Sequence, residues 1–194
     1  LHTPKENDSA AGALEDARPD RWGERVIRHI DRPARLSILE YLYFAGDNRF
    51  GALGVSLLPD ACAPWHSATL ASFESLPQME NAIAKLLAGE KLSDELTRLV
   101  RPGPSLGGAR PKSLIQNGQQ QYLVKFSMGE EMNTELVEHA CMTLGQACDI
   151  VSAPTQALPL STGHALAVAR FDRENGARQH VISAYTALRA AGLA

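Results

Sequence analysis

The chain has 194 residues, 44% hydrophobic and 21% charged, with 19 Lys and Arg against 22 Asp and Glu and a formal net charge of −3. That apolar content can bury the core of one medium domain or two small ones. The acidic balance excludes a generally basic nucleic-acid binder, which needs a Lys/Arg excess to neutralise phosphates. No run of about 18 apolar residues occurs, so no membrane-spanning helix is expected, and the polar opening Leu1–Asp16 lacks the apolar core of a secretion signal. The first residue is Leu1 rather than Met, which suggests a fragment or processed product. Cys62, Cys141 and Cys148 are too few for a disulfide framework and form no CxxC pair, so zinc is not expected and a reducing cytoplasm is. The spacing of Cys141 and Cys148 puts both on one helix face, as buried core thiols.

In chain order, residues 1–13 read as a loose polar tail. Trp22, Val26 and Ile30 recur at helical spacing, predicting a helix over 16–30 that Pro33 interrupts. A second helix starts at Ser37 as N-cap and ends near Gly46. Residues 50–58 (FGALGVSLL) read as a strand closed by Pro59, and 60–75 as loop. Helices follow over 76–88 and 93–100, the latter capped by Ser93. The Pro- and Gly-rich stretch 101–112 (RPGPSLGGARPK) then breaks the composition. Beyond it, 113–116 and 121–126 read as strands flanking an Asn117-Gly118 hairpin turn. Residues 133–148 read as a helix whose buried face carries Leu136, Val137, Ala140, Cys141, Leu144 and Cys148. Strands over 155–160 and 165–171 and a helix over about 181–191 complete an α+β fold. Residues 1–100 form a mostly helical N-terminal subdomain, and 101–194 a lobe with an antiparallel sheet and one main helix.

Three elements together suggest chemistry. The glycine loop Ser105-Leu106-Gly107-Gly108-Ala109 has a backbone free to turn sharply and present N–H groups to phosphates. Lys125 lies between apolar neighbours in a strand, and Glu138 follows on the next helix. Glycine loop, strand lysine and helix glutamate form the pattern by which kinase small lobes cover phosphates and fix the lysine that meets them. Arg110 and Lys112 are either further phosphate contacts or solvated. Asp172 is read as part of a local Arg–Asp cluster, Phe171 as core, and Trp22 and Trp65 as packing residues. His66, His139, His164 and His180 are scattered, none paired with a carboxylate at metal-ligand spacing, so no metal site is expected.

These residues resemble the HipA toxin kinases. The stretch 103–112 is similar to that family's phosphate loop, 122–126 (YLVKF) to its lysine strand, 133–144 to its glutamate helix and 167–173 (AVARFDR) to the segment entering its hinge. Residues 180–188 resemble the family's His, Ser-Ala and short apolar helix, while 20–23 (DRWG) and 46–53 (GDNRFGAL) resemble its PDxWGR and GDxRxGAL pieces. The resemblance covers about residues 16–190 and implies the N-terminal portion of a serine/threonine protein kinase: a helical subdomain and a kinase-like small lobe. It implies ATP, with magnesium held by residues of a large lobe outside this sequence. ATP would be bound through Ser105, Leu106, Gly107, Gly108, Ala109, Lys125 and Glu138, with a hinge at Ala169, Arg170 and Phe171. Ala169 stands where some relatives carry a glutamate facing adenine. The family's catalytic aspartate, its asparagine and its metal-binding aspartate have no counterpart in these 194 residues, so this chain alone is expected to be inactive. Ser105 corresponds to an autophosphorylation site that expels the loop. The implied partners are a protein substrate, of the aminoacyl-tRNA synthetase class, and a helix-turn-helix antitoxin that alone contacts DNA. The alternative is a non-catalytic subunit that associates with a separate kinase chain or with such a repressor.

Overall fold

A computed structural model describes residues 11–35, 37–66, 69–103, 106–174 and 176–193. The tail expected over residues 1–13 falls outside them up to residue 10. Gly12 and Ala13 already belong to a first helix, Gly12–Ala17 (α1). The single helix expected over 16–30 is two, α1 and Arg21–Ile30 (α2), with Arg18 and Asp20 extended between them. Pro19 is the cause, since it lacks a backbone donor and disfavours helical geometry in the residue before it. Ile38–Phe44 (α3) starts at Ser37, whose backbone N–H donates to Glu40 at 2.8 Å. It ends at Gly46, which holds φ +73°.

No strand forms over residues 50–58. The backbone here is committed elsewhere: the carbonyls of Asn48, Arg49 and Gly51 accept from the guanidiniums of Arg170 and Arg173, and the Gly51 N–H donates to Asp172 Oδ2 at 2.8 Å. Gly51 also turns the chain with φ +80°. A 3-10 turn at Phe73–Ser75 leads into Leu76–Leu87 (α4), and Ser93 Oγ caps Asp94–Val100 (α5) by accepting from Leu96 N.

The second half holds an antiparallel hairpin, Lys112–Asn117 (β1) and Gln120–Lys125 (β2), followed by Thr134–Ala147 (α6) and a second hairpin, Thr155–Pro159 (β3) and His164–Ala169 (β4). The sheet order is β1-β2-β4-β3, antiparallel throughout. Asn117 pairs with Gln120, so the turn is Gly118-Gln119, one residue later than the sequence suggests, with the positive φ of +60° at Gly118. A small hairpin, Arg173–Glu174 (β5) and Ala177–Arg178 (β6), was not foreseen. Ala184–Ala190 (α7) follows, its Thr186 N–H capped by Ser183 Oγ. The fold is α+β, as expected. No helix among the described residues is long and apolar enough to cross a membrane.

Side chains alternate across the strands and give the sheet two different faces. One carries Ile115, Val124, Ala165 and Ala167 and packs with Trp22 and Val26 of α2, Met79, Ile83 and Leu86 of α4, and Val100 of α5 in one hydrophobic cluster. The helices of the first half and the sheet of the second therefore share a core. Trp22 adds direction to this packing, because its indole N–H donates to the Lys112 carbonyl at 2.8 Å. The other face carries Lys112, Leu114, Leu123, Lys125 and Leu166 in register and meets α6.

Ion pairs, buried at Asp172 and partly exposed at Asp47, tie residues 47–51 to residues 170–178. Asp172, fully buried, accepts from Arg170 Nε at 2.8 Å and Nη2 at 2.6 Å and from Arg173 Nη1 at 2.6 Å. Arg178 pairs with Asp47 at 2.5 Å. This is the local Arg–Asp cluster expected at Asp172, and it reaches back to the 47–51 segment. Burial pushes the Asp172 carboxyl up, but the hydrogen bonds and charge of Arg170, the Gly51 N–H and Arg173 outweigh it and leave the group below the usual carboxylate range. Phe171, expected in the core, is 65% exposed and packs edge-to-face with the Phe50 ring, the centroids 5.2 Å apart. Its neighbours Arg170 and Asp172 take the inward positions.

Candidate functional site

Lys125 ends β2 and Glu138 sits one turn into α6, and their side chains meet at 2.5 Å. Asn133 places the helix by capping it, its Oδ1 accepting from Leu136 N at 3.1 Å. The pair is partly exposed, at 25% and 39% of the side chains. An ion pair so exposed contributes about 0–1 kcal/mol, so its effect is on where the ammonium is held and not on stability.

The glycine loop lies at the edge of the same sheet face. Pro104 and Ser105 lie outside the described residues. Leu106 is buried, while Gly107, Gly108 and Ala109 are exposed. Protein groups hold this loop in place. Besides the buried Leu106, Arg110 pairs with Glu135 and Glu130 at 3.0 and 3.1 Å and hydrogen-bonds Thr134, which fastens the loop to the start of α6. Lys112 Nζ donates to the Gly108 carbonyl at 2.7 Å. Arg110 is therefore committed to carboxylates, and Lys112 is not a solvated residue but 1% exposed.

Burial pushes the Lys112 ammonium down to about 8; the Asp20 carboxylate opposes this and nearby Lys125 adds to it. Asp20 is pushed up by its own burial, against the pull of Lys112. Sequence reasoning missed Asp20 as a neighbour of the site and left open whether Lys112 is a phosphate contact or solvated. The signal was the cross-strand pairing of Lys112 with Lys125, which any register for this hairpin close to the observed one would suggest.

Gly103 lies against the start of β1. A Cβ there would stand 2.2 Å from the Lys112 carbonyl oxygen, a clash between two backbones. Gly103→Ala should shift β1 and cost roughly 1–3 kcal/mol, as overpacking does, read as a lower urea midpoint at unchanged slope.

Of the hinge residues expected from the sequence, Ala169 ends β4 with its N–H on the Pro154 carbonyl, Arg170 belongs to the buried Asp172 network, and Phe171 faces outward. Helix α6 turns opposite to expectation. Glu135 is buried and Glu138 and His139 face the sheet, while Leu136, Val137 and Leu144 are 40–65% exposed and Cys141 and Cys148 are exposed, not core thiols. The polar side chains face inward because they find partners there: Arg110 for Glu135, Lys125 for Glu138 and Thr155 for His139. Among the described residues, no group of three or more His, Cys, Asp or Glu side chains is placed to hold a metal ion.

With this geometry in view, residues 104–193 match the family model of the HipA-like C-terminal domain. The second half of the chain is similar to that domain. The match includes the glycine loop from Pro104, the Lys125 strand, the Glu138 helix and the Asp172 cluster. No curated protein matches the chain.

Proposed function

We propose that the HipA-like half binds ATP as the nucleotide lobe of a serine/threonine protein kinase of a toxin–antitoxin system. The Lys125–Glu138 ion pair carries this reading, because it lies on the sheet face that the glycine loop borders. A polyphosphate needs a cation held at one position, and Glu138 restricts the long lysine stem to one. Exposed backbone at Gly107 and Gly108 can approach phosphate oxygens without side-chain interference. Among the described residues, no group of three or more His, Cys, Asp or Glu side chains is placed to hold magnesium. A phosphate on Ser105 would add a dianion beside the bound phosphates and repel them. The reading takes a protein substrate, aminoacyl-tRNA synthetases being the class implied by the resemblance, a helix-turn-helix antitoxin as partner, and a cytoplasmic place of action.

A second reading, a non-catalytic module that associates with a separate chain, is favoured by the outward apolar side chains of α6. Calorimetric titration of MgATP into the chain separates the two. Saturable binding of one equivalent is expected. No heat beyond dilution at millimolar nucleotide would leave the module as the better account.

A further inference from the structure

We infer that the outer face of α2 is a docking surface for the phosphate backbone of double-stranded RNA. The net charge of the chain is −3, yet six of its 19 Lys and Arg fall within residues 18–35, all six of them arginine. Trp22, Val26 and Ile27 are buried in the core, which leaves Arg21, Arg25 and Arg28, at i, i+4 and i+7, on the exposed side of the helix. They rise along the axis by about 6 and about 4.5 Å, on the scale of the phosphate repeat of a nucleic-acid strand. With His29 they line one side of a groove of about 420 Å³, and Leu86 of α4 and Gly89 just beyond it line the other. Arg32 and Arg35, both exposed, carry the positive surface past the end of the helix.

These guanidiniums have little charge set against them. Arg21 has no hydrogen-bond or ion-pair partner among the described residues. Arg25 donates to the neutral Leu87 carbonyl at 2.6 Å, and Arg28 is held by the Tyr41 hydroxyl at 2.8 Å and by Glu24 at 3.4 Å. Glu24 is itself shared with Arg18, at 3.1 Å. The lining selects among polyanions. A protein interface carries aromatic or aliphatic anchors at its centre, and a helix that lies on lipid exposes an apolar face. Leu86, the aliphatic side chain of this groove, is buried. A single strand needs rings on which its bases stack, and no Phe, Tyr or Trp lines the groove. A duplex backbone asks only for guanidinium forks that match phosphate oxygens. Glu24 decides between RNA and DNA. Its carboxylate repels a phosphate but accepts from a ribose 2′-hydroxyl, a donor that the DNA backbone lacks. Helix α2 packs on the sheet face opposite to that of Lys125, so the surface stands apart from the nucleotide reading.

The test is fluorescence anisotropy of the full chain with a labelled RNA duplex of about 20 base pairs, longer than the span of a typical double-strand binder, beside a DNA duplex of the same sequence. The expected result is RNA binding with a dissociation constant of about 1–100 μM at low salt, and DNA binding weaker by about fivefold, the share of one hydrogen bond. Three phosphate contacts give a log–log salt slope of about −3, so affinity falls roughly 40-fold between about 50 and about 200 mM salt. Arg21→Gln reduces that slope by about one and weakens binding severalfold, with the urea midpoint unchanged because Arg21 holds nothing in the fold. Arg25→Lys keeps the charge and the slope. No RNA binding at about 100 μM protein in low salt, equal affinity for the two duplexes, or a slope untouched by Arg21→Gln overturns the inference. Displacement of the RNA by polyglutamate at matched charge overturns it in favour of an acidic protein partner.

Discussion

Lys125→Met should weaken MgATP binding by roughly 10- to 100-fold, about 1.4–2.8 kcal/mol, while the urea midpoint hardly moves. The two halves of this expectation have one source. The ammonium is partly exposed and its pairing with Glu138 contributes little to folding, so removing it should leave the sheet intact. Against a polyphosphate the same charge sits at a fixed place, and it can add charge-assisted hydrogen bonds to the ligand beyond the one it makes to Glu138. Glu138→Gln keeps the size of the side chain and frees the lysine to sample other rotamers, so a smaller loss of roughly three- to tenfold is expected. A Lys125→Met chain that binds as tightly as wild type would remove Lys125 from the site.

The largest effect on stability is expected at Asp172. Asp172→Ala leaves the buried guanidinium of Arg170 without its carboxylate and frees the Gly51 N–H. Breaking a buried pair from one side costs about 3–5 kcal/mol, and here it also unfastens residues 48–51 from the 170–173 segment. Thermal or urea unfolding of the variant checks this; a loss below about 1 kcal/mol would mean that the network is not holding the two segments. The pH dependence has a definite sign. The folded-state carboxyl of Asp172 lies below its usual range, so its contribution is fully present above the unfolded value near 4 and is lost as pH falls through the folded one. Between pH 6 and 8 this network should leave stability flat.

Much of the fold was legible because it is written in local chemistry. Ser37, Ser93 and Asn133 mark helix starts that the structure keeps, and Asn117-Gly118 finds the hairpin to within one residue. Lys125 and Glu138 were legible through a kinase-like pattern, and they meet. Periodicity told which residues of α6 share a face but not which face is covered. The apolar side turned out to be the outer one, because Glu135, Glu138 and His139 have partners against the sheet. Residues 50–58 looked like a strand on composition, yet distant arginines claim the backbone carbonyls at their start, which no local window contains. Strands β5 and β6 are two residues each, too short to leave a period. Whether Lys112 is buried or solvated was left open, because a lysine's burial depends on tertiary packing that no local window contains.

The central claim, that the Lys125 face of the sheet receives nucleotide phosphates, is tested most directly by lysine labelling with an acyl-phosphate derivative of ATP, read by peptide mass spectrometry. Such a reagent acylates an amine held beside the phosphates, and each lysine of the chain reports its own distance from them. The account predicts modification concentrated on Lys125, with Lys112 second, and its suppression by excess MgATP. Labelling spread over the exposed lysines and unaffected by MgATP, with Lys125 no more modified than the rest, would contradict it.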